Sequence, residues 1–174
     1  MDVGLAGAAD GGDRERARGT HFKGMTNEMD GHVFQTYTET DKRVQFTKTV
    51  EMLGLYINNQ LTSAEDMAPL YKELKAPEIR FEWEEDDDDI PDEFKEEYNK
   101  MKVKGYLDRK KELKGNLRKV YAVIWGQCSE AMKANLKAAT GYEEHNLACD
   151  CVWLLKTIQS IMYRFDDTSF LVIL

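Results

Sequence analysis

Apolar residues recur at helical spacing through most of the chain. The series Leu113, Leu117, Val120, Ile124, Cys128, Ala131/Met132 and Leu136 advances in steps of three and four, which sets every member on one face of a 3.6-residue helix. A second series, Cys151, Leu154/Leu155, Ile158, Ile161/Met162 and Phe165, repeats the pattern near the end, with Asn146 or Asp150 placed to cap it. Earlier, Val44, Thr47, Val50 or Glu51, Leu53/Gly54 and Ile57 mark a helix that opens behind Thr40 or Asp41 and closes at Asn58-Asn59. Phe46, Tyr56 and Leu61 stand at its flanks. A shorter helix is expected from Ala64 to Leu74 behind Thr62 or Ser63; Pro69 either kinks it or moves its start to near Ala68. Pro91-Asp92 opens a long helix that runs to about residue 127. The pattern predicts an all-α fold of about five helices with a long central one.

Between these elements the texture differs. Residues 1–21 are rich in Gly, Ala, Asp and Arg without apolar period and read as a disordered arm. Phe22, Val33, Phe34 and Tyr37 then bring apolar side chains suited to an extended strap against the helices. Residues 77–92 read as a solvated acidic loop anchored by Phe81, Trp83 and Ile90. From Glu82 to Glu97 there are eleven acidic residues and one Lys, and the run Asp86–Asp89 lacks the alternation and the Gly turn of a calcium loop. Residues 22–168 form the expected helical domain, and 169–174 an apolar tail that reads as a truncation point.

Charge narrows the function classes. A net charge of −8 argues against a nucleic-acid surface over the whole domain. From Tyr98 to Lys119, however, nine Lys or Arg stand against Asp108 and Glu112. These basic residues fall on all sides of the helix without interleaved aromatic platforms, so they read first as a solvated face. Arg109, Lys110, Lys111 and Lys114 are the candidates for a weak RNA contact. Three cysteines suit a reducing compartment, cytoplasmic or nuclear, and the acidic start argues against a signal peptide. No apolar run approaches the roughly 18 residues that a membrane span requires.

No catalytic constellation stands out. Ser63, Glu65 and Asp66 have no histidine in range, and Cys128 sits on an apolar stripe where it reads as core. His145, Cys149 and Cys151 do not match a zinc knuckle or a C-x-x-C pair, and His32 has no second ligand at metal spacing. The expectation is therefore a non-enzymatic protein with no cofactor, no metal and no small-molecule substrate.

Four short motifs carry a resemblance: FKG at 22–24, GHVFQTYTE at 31–39, WGQCSEAM at 125–132 and LLKTIQSI at 154–161. Together they resemble the Gag-like proteins of copia-type LTR retrotransposons of the algal and diatom kind, over roughly residues 22–166. The resemblance implies a capsid-like structural component that self-associates through helical surfaces, with Trp125, Gly126, Cys128, Leu154, Leu155 and Ile158 as structural or interface residues. It also implies element RNA as a weak partner, since no zinc knuckle is present, and no membrane. The alternative from composition is a monomeric acidic helical adaptor that binds a basic protein.

Overall fold

The computed structural model describes residues 21–38, 40–82 and 90–167, the last three as backbone only. Most of the arm, the anchor Trp83, the run Asp86–Asp89, the Phe165 side chain and the tail 169–174 lie outside the described residues. Among the described residues the chain is all-α, with six α-helices and no strand. They are α1 (Lys42–Gln60), α2 (Ala68–Glu73), α3 (Lys95–Gly126), α4 (Glu130–Lys137), α5 (Tyr142–Ala148) and α6 (Cys151–Asp167).

Local chemistry sets the helix ends. Asp41 caps α1 by accepting from the backbone N–H groups of Arg43, at 2.8 Å, and Val44, at 3.1 Å. Pro69 falls in the first turn of α2, where its missing N–H costs nothing, and a 3-10 turn over Ala64–Met67 precedes it. Asn58-Asn59 does not close α1, which runs on to Gln60. Instead the Asn58 amide donates to Gly54 O and to Tyr71 Oη, tying α1 to α2. α5 is the helix beyond the expected five. It has no buried residue, so no apolar stripe announces it. Asp150 caps α6 by accepting from Trp153 N at 2.9 Å.

α6 is the spine of the core, packing against α1, α3 and α4. Its Leu154, Leu155, Ile158 and Met162 are fully buried, together with Leu53 and Ile57 of α1, Val120 and Ile124 of α3, and Met132 and Leu136 of α4. Phe46, expected at a flank, lies in the core at 5.8 Å from Phe34, and Val44, expected on the apolar face, is 42% exposed. The α1 stripe is rotated because the strap covers the Phe46 side.

The long stripe from Leu113 to Leu136 is not one helix. α3 stops at Gly126, and α4 begins after Ser129, whose hydroxyl accepts from Met132 N at 3.2 Å. The break exists because the strap pairs there. Phe34 N donates to Gln127 O at 2.8 Å and Ser129 N donates to Phe34 O at 2.9 Å, an isolated parallel bridge. Cys128 keeps its place in the core despite the break.

The Gln127 side chain completes the corner. It is fully buried, its Oε1 accepts from Met25 N (2.9 Å) and Thr26 N (3.0 Å), and its Nε2 donates to Met29 O (3.1 Å) and His32 O (2.7 Å). Both lone pairs and both amide hydrogens are thus used. Gly24 must be glycine on two counts: its φ is +88°, and a Cβ there would stand 2.1 Å from Gln127 Nε2. Gly126 lets the strap come close, since an added Cβ would meet Met25 at 3.3 Å.

Gln127→Ala strands four strap backbone groups next to a fully buried position. It is expected to lower stability by about 3 kcal/mol or more, read as a fall in the urea midpoint, with protease cleavage appearing first between residues 23 and 34. An unchanged midpoint would contradict this role.

Candidate functional site

The residues singled out in the sequence fall into two groups. Gly126, Cys128, Leu154, Leu155 and Ile158 are buried, and they contribute packing inside one chain. Trp125 is half-buried, its ring 5.8 Å from that of Tyr142, with the Lys137 ammonium 6.0 Å above it. Tyr142 in turn neighbours Trp153, on which His145 stacks at 4.7 Å with the rings 8° apart. His145 Nδ1 lies 2.9 Å from Asp150 Oδ2, so the imidazole is oriented by a carboxylate as well as by the ring beneath it. Cys149 and Cys151 stand near, but among the described residues no group of three His, Cys, Asp or Glu is arranged to hold a metal.

Arg109, Lys110, Lys111 and Lys114 do not form one surface. Arg109 makes a two-pronged ion pair with Asp66, its Nε 2.8 Å from Oδ2, and the Asp66 side chain is only 9% exposed. The pair is one of three ties spaced three and four apart on one face of α3. Glu112 accepts from Ser63 Oγ at 2.8 Å, and Asn116 donates to Thr62 O at 2.8 Å. Together they fasten the turn before α2 to the long helix. Lys110 lies over the Tyr106 ring at 5.5 Å, while Lys111 and Lys114 are exposed. Phe81 packs edge-on against Tyr106 at 5.2 Å, the anchoring expected of it.

Before Leu113 no position of the long helix is buried, and its ties to the rest of the described chain are made through side chains such as Tyr106, Arg109 and Glu112. Thirty-two residues give α3 a length of about 48 Å, and its buried positions begin only at Leu113. The first half carries a surface of Glu96, Asn99, Lys100, Val103, Lys104, Leu107 and Asp108, on the side of the helix away from Arg109. Val103 is 40% exposed and Leu107 56%. Phe94 and Met101 are exposed on an adjoining face. Sequence reading took this stretch for its charge and passed over Val103 and Leu107. Their spacing of four, behind Glu96 and Lys100, was the available signal.

A cleft of about 670 Å³ lies between the strap and α1, lined among others by His32, Thr36, Gln45, Lys48 and Ser129. Gln45 Oε1 is buried there and finds no hydrogen-bond partner among the described residues. The Ser129 hydroxyl caps α4 by accepting from Met132 N. No helix among the described residues is long and apolar enough to cross a membrane. No family model, curated protein or solved structure matches the chain.

Burial pushes the Cys128 and Cys151 thiols up from 9.0 to about 12. Both therefore stay protonated and unreactive at neutral pH, the opposite of an activated nucleophile. At pH 8 a disulfide reagent is expected to titrate Cys149 alone in the folded chain and all three thiols in urea. The same shift has a consequence for stability. In the window from about pH 9 to 12 the unfolded chain releases these protons and the folded chain keeps them, so stability falls as pH rises. Cys128→Ala is expected to flatten that fall; an unchanged slope would count against the burial of this thiol.

Proposed function

We propose that the chain is a non-enzymatic structural protein, similar to the capsid region of copia-type Gag, that associates with copies of itself through helix surfaces. The observation that carries this reading is the outward row of α3. Val103 and Leu107 stand exposed four residues apart on the first half of this helix, where no element among the described residues covers them. Singly exposed apolar residues are ordinary, but a row along an exposed helix face is the geometry that helix pairing uses. Burying such side chains between copies supplies a drive to associate that needs no catalytic group and no cofactor.

Other features agree. Motif residues of the resemblance, Gly126, Cys128, Leu154, Leu155 and Ile158, serve to hold a helical body rigid behind that face. The three cysteines are free and two are buried, as suits a reducing compartment, cytoplasmic or nuclear. Element RNA has weaker support as a partner, because Arg109 is engaged by Asp66 and Lys110 by Tyr106.

Light scattering over a range of protein concentrations at low and high salt tests the proposal. Molar mass is expected to grow with concentration and to persist at high salt, because apolar contact is not screened. Val103→Glu combined with Leu107→Glu is expected to hold the chain monomeric while leaving its helical circular dichroism unchanged. A wild-type chain that is monomeric at every concentration would overturn self-association and leave the acidic adaptor reading.

A further inference from the structure

Four residues on the outward line of α3 are spaced symmetrically. Glu96, Val103, Leu107 and Lys114 lie within about 20° of one line, since steps of seven and eleven nearly close on a 3.6-residue turn and eighteen residues make five turns. Counted from residue 105, Val103 and Leu107 stand two places to either side, and Glu96 and Lys114 nine places to either side. Going along the line, the order is acid, apolar, apolar, base.

From this spacing we infer that the occupant of the outward face is a second copy of this chain, its α3 antiparallel and related by a two-fold axis beside residue 105. The inference rests on the self-association proposed above and adds its geometry. In this register Val103 meets Leu107 of the second copy and Leu107 meets Val103, a four-residue apolar centre. Glu96 meets Lys114 of the second copy at one end, and the symmetric pair forms at the other. A parallel arrangement in register would instead bring Glu96 against Glu96 and Lys114 against Lys114. Charge thus selects the orientation while apolar burial supplies the attraction.

The helix as a whole agrees with this choice. Acidic residues Glu93, Glu96 and Glu97 stand at its start and basic residues Lys110, Lys111 and Lys114 in its middle, so an antiparallel overlap sets opposite signs together. Helix dipoles also oppose favourably in that arrangement. One feature resists it. Lys100, bridged to Glu96 at 2.8 Å within its own chain, comes near Lys111 of the second copy on the rim. Both stems are long and exposed there, so their charges part into solvent.

Paired charge reversal separates this arrangement from others. Glu96→Lys alone and Lys114→Glu alone each place like charges at both ends of the antiparallel pair. Each is expected to weaken the dimer about tenfold at low salt. Mixed together, the two variants make a heterodimer in which both end pairs are again opposite, and affinity is expected to return to within about threefold of wild type. Sedimentation of the singles and the equimolar mixture, with circular dichroism as the folding control, reads the result. Loss of affinity in both singles without recovery on mixing would overturn the antiparallel register. Singles that associate as the wild type does would overturn it too, while leaving self-association by another face intact. A monomeric wild type would overturn both.

Discussion

One buried amide ties the strap to the corner between α3 and α4. The Gln127 side chain answers four backbone groups of the strap, and its own backbone carbonyl accepts from Phe34 N. Each of those strap groups would otherwise lie unpaired against an apolar core, where the penalty for a lone polar group exceeds the gain from an ordinary hydrogen bond. The corner between α3 and α4 follows from this commitment. A chain that continued as helix past Gly126 would withdraw Gln127 O and Ser129 N from Phe34. Breaking the helix releases them, and Ser129 then restarts it by capping α4. Burial of Met29, Val33 and Phe34 against α1 depends on the same corner.

The long helix divides by function along its length. Its second half belongs to the core through Leu113, Val120 and Ile124. At the transition, Arg109, Glu112 and Asn116 grip the turn at residues 62–66 with an ion pair and two hydrogen bonds. Before them, between Lys95 and Arg109, Tyr98, Lys102 and Tyr106 are partly covered and the other positions are exposed. Residues that look like a basic patch in sequence are therefore split between an anchoring tie and an outward face. The exposed Val103 and Leu107 lie on that face, and the proposed self-association rests on them.

Much of the architecture was legible as period and caps. The α6 stripe, the Asp41 cap and the Pro69 start are local, set by residues within one or two turns of each other. What sequence reading missed was set from far away. The stripe from Leu113 to Leu136 runs through Gln127 without interruption, and only the strap, a hundred residues earlier, reveals that the helix breaks there. Phe46 was placed at a flank because nothing nearby shows that Phe34 lies against it. α5 escaped because it buries nothing. At the candidate site, charge masked hydrophobicity: two exposed apolar residues among nine basic ones carry little weight in any average, and only their common face gives them meaning.

The strap has a further consequence in time. During synthesis residues 23–34 leave the ribosome about a hundred residues ahead of Gln127, their partner. At roughly 5–20 residues per second they wait about 5–20 s with Met25, Met29, Val33 and Phe34 in solvent. The strap is the earliest part of the described body to be made, and its ties to Gln127 bridge about a hundred residues, so loop closure must precede their reward. The nascent chain therefore carries an open apolar end at least until the corner at Gln127 has been made, and α6, the spine of the core, is made later still.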